Sequence, residues 1–293
     1  RKTFTVPAAD SNKLAFIDFD GVYMNSDVWI NGHFLGLRPY GYASFRYELT
    51  PYLNVGDEPN VLAVRVDNSL QPNSRWYSGS GIYRHVWLVQ THPVHVAHWG
   101  TFVTTPKVSE KAATVNVQTT LKNSSQTAKI VVLNSIIKNA GGVIVAEQSA
   151  EQNIDAGEPF ECIQNLSINN PELWSVESPT LYTLRTEVEI NGNLVDDVET
   201  PFGVRTFDFD PETGFSLNGE SMKILGVCLH HDLGCLGAAV NKRAIERQLE
   251  ILQDMGCNAI RTAHNPPAPE LLDLCDRMGL LVMDEAFDMW KLK

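Results

Sequence analysis

No apolar run in this chain reaches the roughly 18 residues that a membrane-spanning helix needs, so no segment reads as a bilayer span. Basic blocks are missing too. The 23 Lys and Arg residues are outnumbered by 35 Asp and Glu, giving a formal net charge of -12, which argues against a nucleic-acid surface. Cysteine is scarce: Cys162, Cys228, Cys235, Cys257 and Cys275 are widely spread and odd in number. That pattern excludes a disulfide scaffold, and the five are expected to be mostly buried thiols. A signal peptide is absent, but the chain opens in mid-pattern at Phe4, Val6, Leu14, Phe16 and Ile17. An export signal removed upstream would place the protein in the periplasm or outside the cell, and its lack in the cytoplasm, so the compartment stays open.

What is present is a grammar that changes twice. Residues 1–90 hold short strands between turns, with no sustained helical period. Asp27 to Ile30 leads into the hairpin pair Asn31-Gly32. Asn60 to Val66 alternates as a half-buried strand should, and Ile82 to Val89 predicts another. An antiparallel sandwich is expected here. Residues 91–206 continue in strands at Thr114–Leu121, Lys129–Lys138, Val143–Glu147, Phe160–Ile168 and Leu181–Ile190, with turns at Gly141-Gly142 and Asn191-Gly192. About 110 residues and some seven strands suit an immunoglobulin-like sandwich without the antibody-type cysteine pair. Two glycosylation sequons, at Asn123 and Asn165, carry no functional weight.

From residue 207 the pattern becomes strand–helix–strand–helix–strand. Met222–Leu229 predicts a strand, and Lys242–Met255 a helix whose apolar face is Ile245, Leu249, Leu252 and Met255, ended by Gly256. Ala259–Thr262 is a second strand. Pro269, Leu271, Leu272, Cys275 and Met278 mark a second helix closed by Gly279, and Leu280–Met283 is a third strand. Each strand ends in polar residues: His230-His231-Asp232, His264-Asn265 and Asp284-Glu285. Parallel α/β domains place such residues at the active-site face, so this recurrence is the main functional signal read from the residues alone.

Taken in order, these blocks resemble glycoside hydrolase family 2, the family of β-galactosidases, β-glucuronidases and β-mannosidases. The resemblance runs through Phe19-Asp20-Gly21-Val22-Tyr23, Val28-Trp29-Ile30-Asn31-Gly32 and Ser78-Gly79-Ser80-Gly81-Ile82-Tyr83-Arg84. It continues through Pro171-Glu172-Leu173-Trp174-Ser175, Arg261-Thr262-Ala263-His264-Asn265-Pro266 and Asp284-Glu285-Ala286. It implies a jelly-roll β-sandwich over 1–90, an immunoglobulin-like sandwich over 91–206, and the first three units of a (β/α)₈ barrel over 207–293. It also implies exo-acting hydrolysis of terminal β-glycosides with retention, by two glutamates about 5–5.5 Å apart. In the family these glutamates follow the fourth and seventh barrel strands. Neither is expected in this chain, which is expected to be inactive alone and to self-associate through an open barrel edge.

By position, the resemblance assigns His230 and His264 to sugar hydroxyls, and Asp284 and Glu285 to orienting barrel-top side chains. Counting six residues back from Gly81 reaches Arg75, where family members place a sugar-binding aspartate; a cation there points away from galactose and toward an acidic sugar or another group. Trp76 and Trp290 are candidate stacking platforms. Trp29, Trp87 and Trp174 fit core positions, and His33, His85, His92, His95 and His98 fit surface or packing roles. Cys228, His230, His231, Asp232 and Cys235 do not read as a zinc site, because neighbouring strand residues face opposite ways and the close cysteine spacing is missing. No cofactor is expected. The competing reading is a non-catalytic carbohydrate-binding or structural sandwich module.

Overall fold

A computed structural model describes residues 1–70 and 79–287. The chain divides into two compact units. One is built from Arg1–Gln90 together with Leu225–Cys275 and the segment from Leu280; the other comprises Thr91–Ile224 and Asp276–Gly279.

The first unit begins with two sheets. One runs in the order Lys2–Phe4, Asn60–Val66, Ser26–Ile30, His33–Arg38; the other is Phe45–Glu48, Leu14–Phe19, Val86–Thr91. Alternate residues from both face one core, including Ala15, Ile17, Phe19, Val28, Ile30, Phe45 and Leu62. Phe19 and Phe45 stack there with centroids 4.9 Å apart. The Asn31-Gly32 turn closes as expected, with φ of 49° and 85°, the left-handed pair that a two-residue hairpin loop demands. The expected strand Ile82–Val89 is instead broken. Gly81–Ile82 and Val86–Thr91 are separate, because Arg84 turns inward and its guanidinium donates to the carbonyls of Asp20, Tyr42 and Pro266.

Beside them three parallel strands lie in chain order: Gly226–Leu229, Ala259–Thr262 and Leu281–Met283. The helices between them are α1, Lys242–Asp254, and α2, Pro269–Met278. They form no closed barrel. The first strand is shorter than the predicted Met222–Leu229, since Glu220–Ser221 already pairs with Gly214–Leu217. Gly226 lies so near the second strand that a Cβ would come within 2.6 Å of the Ala259 carbonyl oxygen. Asn241 caps α1 by accepting from the Ala244 amide at 3.1 Å. Ile245, Leu249 and Leu252 are buried, whereas Met255 has left the helix and is 69% exposed. In α2 the buried residues are Leu271, Leu274 and Cys275.

The second unit holds a seven-stranded sandwich. Val94–Val108, Ala112–Asn123 and Pro159–Asn169 form one sheet; Ile144–Ile154, Lys129–Lys138, Tyr182–Ile190 and Asn193–Phe202 form the other. Val115, Val117, Ile137, Leu166 and Leu184 fill one part of its core, and Leu121, Leu133 and Val188 another. Trp174 is fully buried under the Arg205 guanidinium, and Gly203 leaves it room: a Cβ there would approach Trp174 to 2.7 Å. A short meander, Phe207–Asp210, Gly214–Leu217 and Glu220–Ser221, follows.

Among the described residues no helix is long and apolar enough to cross a membrane. The cysteine expectation needs correction. Cys162 and Cys275 are buried, but Cys228 and Cys235 are exposed and Cys257 is half-buried. Trp87 is also no core residue; it is 52% exposed and its indole N–H reaches the Asp20 carboxylate at 2.8 Å.

Candidate functional site

The C-terminal ends of the three parallel strands bring the sequence-selected polar residues together in the first unit. Arg261, in the second strand, donates through Nε to Oε1 of Glu285 at 2.6 Å. His264 Nδ1 meets the other carboxylate oxygen at 2.9 Å, and Arg261 Nη2 lies 3.1 Å from the same ring nitrogen. Glu285 is thus held from both sides. Burial pushes its pKa up, but hydrogen bonds from Arg261 and His264 and their charge outweigh that and hold it below the ordinary carboxylate range. Arg261 also donates to the Cys228 sulfur at 3.3 Å, which ties the end of the first strand to the same cluster.

Thr262 is the second organiser. Its buried hydroxyl donates to Asp284 Oδ1 at 3.0 Å and accepts from the Glu285 amide at 3.0 Å. Asp284 and Glu285 are therefore oriented by consecutive residues of the neighbouring strand. His230 Nδ1 lies 2.8 Å from the Ala263 carbonyl, which makes Nδ1 a donor. The His230 and His264 rings meet edge to face, with centroids 5.8 Å apart. Asn265 is buried, and its Oδ1 accepts a short hydrogen bond from the Tyr40 hydroxyl, which also reaches the Ala286 carbonyl at 3.3 Å.

His231 goes elsewhere. Its ring packs on Tyr42 with centroids 4.6 Å apart, and burial, helped by the charges of Arg84 and His230, pushes its pKa down to about 3. It is a neutral imidazole. Asp232 and Cys235 are exposed.

The structure thus assembles His230, His264, Asp284 and Glu285 of the predicted set. Arg75, Trp76 and Trp290 lie outside the described residues. Three organisers were not picked out as site residues: Arg261, Thr262 and Tyr40. A charged side chain within the otherwise uncharged strand Ala259–Thr262 was the available signal for Arg261. Tyr40 had none, since its partner is 225 residues away. His85, expected to serve surface or packing roles, bonds through Nδ1 to Glu270.

The pattern described as "Glycosyl hydrolases family 2" matches residues 94–205, and "Glycosyl hydrolases family 2, TIM barrel domain" matches residues 211–289. A β-galactosidase of Bacteroides ovatus, BoGH2A, is 60% identical over the whole chain, which covers 34% of that relative. A β-glucuronidase of Bacteroides fragilis is 32% identical over 93% of this chain and 40% of its own length. The chain spans about a third of the length of the curated relatives it matches. Among solved structures, a family 2 member from Bacteroides cellulosilyticus superposes with a TM-score of 0.96 at 42% identity, covering 99% of this chain and 40% of that one. The chain belongs to glycosyl hydrolase family 2.

Proposed function

We propose that this chain is the sugar-holding part of an exo-acting retaining β-glycosidase, most simply a β-galactosidase. The supporting observation is the cluster of Arg261, His264 and Glu285 beside His230 at the strand ends. Glu285 and the Ala263 carbonyl fix the orientation of the two imidazoles. Imidazoles held in this way suit sugar hydroxyls, whose hydrogen bonds strengthen as the ring flattens toward the oxocarbenium-like transition state. Glu285 is a positioning residue in this reading. An ionised carboxylate engaged by a guanidinium and an imidazole is a poor proton donor and a poor nucleophile. The acid/base and nucleophilic glutamates are supplied from beyond this sequence, one protonating the leaving oxygen and the other attacking the anomeric carbon.

Arg75 favours a second reading, a β-glucuronidase, because a guanidinium at a sugar-reading position matches a carboxylate better than a hydroxyl. The deciding experiment compares aryl β-galactoside, β-glucuronide and β-mannoside hydrolysis by the longer protein we propose and by the 293-residue chain. The expected result is β-galactoside turnover by the longer protein only, with His264→Ala and His230→Ala each lowering kcat/KM by about tenfold or more. Preferred hydrolysis of the glucuronide, reversed by Arg75→Ala, would move the assignment to the second reading. Robust turnover by the isolated chain would overturn the placement of the two glutamates.

A further inference from the structure

Away from the strand ends, a different set of side chains converges. Asp20 follows the strand Leu14–Phe19, and its amide donates to the carbonyl of His85 at 3.0 Å, so the two residues are cross-strand neighbours. Glu270 stands in the first turn of α2. One donor atom from each of the three lies within 4.8 Å of the others. We infer that Asp20, His85 and Glu270 form a binding site for a divalent transition-metal ion of the zinc and cobalt class.

The donor chemistry selects that class. One imidazole nitrogen with two carboxylates suits zinc and cobalt, whereas calcium and magnesium prefer all-oxygen shells. Metal–ligand bonds of about 2.0–2.1 Å need donors roughly 3.4 Å apart in a tetrahedron, so His85 and Glu270, which are in direct contact, must part to admit the ion. His85 can supply that movement. Its side chain is 45% exposed, and Nδ1 already contacts Oε1 of Glu270. The metal takes the place of the proton between them.

Two further observations bear on the site. The second oxygen of Glu270, Oε2, is fully buried and has no hydrogen-bond partner among the described residues. A buried acceptor left unpaired is costly, and a cation shared by the carboxylate removes that cost. Asp20 is oriented from behind by the Trp87 indole N–H, the outer contact that metal-ligating carboxylates commonly receive. Arg84 is the opposing influence. Its charge lies near both acids, but Nη1 and Nη2 go to the carbonyls of Asp20, Tyr42 and Pro266 rather than to either carboxylate. The alternative is a metal-free ion pair between His85 and Glu270.

The test uses the 293-residue chain, titrated with Zn²⁺ against a chromophoric chelator and separately with Co²⁺ under tryptophan fluorescence. A site at Asp20, His85 and Glu270 binds one Zn²⁺, and His85→Gln or Glu270→Gln weakens binding by about tenfold to a hundredfold. His33→Gln and the pair Cys228→Ser with Cys235→Ser leave the affinity unchanged. Cobalt quenches Trp87, and His85→Gln removes most of that quenching. Circular dichroism of each variant separates lost binding from lost folding. Absence of binding at about 100 µM free Zn²⁺ overturns the inference. Binding that survives His85→Gln and Glu270→Gln but disappears with the two cysteines does the same.

Discussion

Arg261 and Glu285 are joined by a bond from Nε to Oε1 at 2.6 Å, between the second parallel strand and the residues that follow the third. His264 closes the arrangement on the other carboxylate oxygen, so one glutamate fixes the orientation of an imidazole and a guanidinium together. Lysine at position 261 would keep the charge and lose the planar fork that addresses Glu285 and Cys228 at once.

Arg261→Lys is therefore expected to leave the fold intact and to lower kcat/KM of the longer enzyme by about tenfold or more, through loss of His264 positioning. A pH series on Glu285→Gln in the isolated chain tests the same bond. The folded pKa of Glu285 lies below its ordinary 4.5, so its contribution to stability is present above that pH and is lost as pH falls through the folded value. Urea midpoints of wild type and Glu285→Gln should differ at pH 7 and converge in acid. A constant difference down to pH 3 would sink this account.

His231 predicts acid sensitivity of its own. Its pKa falls from an ordinary 6.5 to about 3 on folding, so the fold prefers the neutral ring. The stability this carries is complete above pH 6.5 and drains away as pH drops from 6.5 toward 3. His95, also pushed down by burial, works in the same direction. His231→Phe keeps an aromatic ring against Tyr42 and removes the titration. Its urea midpoint should fall less than that of wild type between pH 6.5 and pH 4. Parallel curves would show that the ring is not the acid-sensitive group.

The elements that could be read from the residues were those where pattern and packing agree. Lys129–Lys138 and Ala259–Thr262 have the same limits in sequence and structure, because alternation or a short apolar run is bounded there by turn chemistry. Ile82–Val89 misled because its pattern is that of a strand, while Arg84 bonds three carbonyls from distant parts of the chain. The strand-end residues were visible for a similar reason: polar side chains following apolar runs stand out. Their organisers did not. Thr262 and Tyr40 matter only through partners 22 and 225 residues away, and no local pattern encodes such a separation.

Gly226 offers a steric test of the parallel sheet. Its φ is not in the left-handed region, so an alanine meets no backbone objection; the objection is the Ala259 carbonyl oxygen, 2.6 Å from the new Cβ. Backbone cannot swing aside as a flexible side chain can. Gly226→Ala should cost about 1–3 kcal/mol in urea unfolding, as overpacking does elsewhere. Its effect should be larger than that of Gly142→Ser, where nothing lies within 4 Å and only the positive φ resists. Equal stability of Gly226→Ala and wild type would mean that the first two strands are farther apart than described.

Tyr40 and Asn265, 225 residues apart in sequence, are joined by one hydrogen bond. Asn265 is 3% exposed, and the Tyr40 hydroxyl donates to its side-chain oxygen. Tyr40→Phe removes the donor while keeping the ring, which leaves a buried amide oxygen with a poorer set of partners. The expected cost is about 1–2 kcal/mol. Asn265→Leu removes the acceptor instead. The double variant is expected to be less destabilised than the sum of the two singles, with a coupling of about 1 kcal/mol in a double-mutant cycle. Additive effects would mean that the two residues act separately. A stability coupling accompanied by an unchanged pH profile in the longer enzyme would assign the pair to holding the strand-end loop, while a shifted profile would connect it to the neighbouring His264.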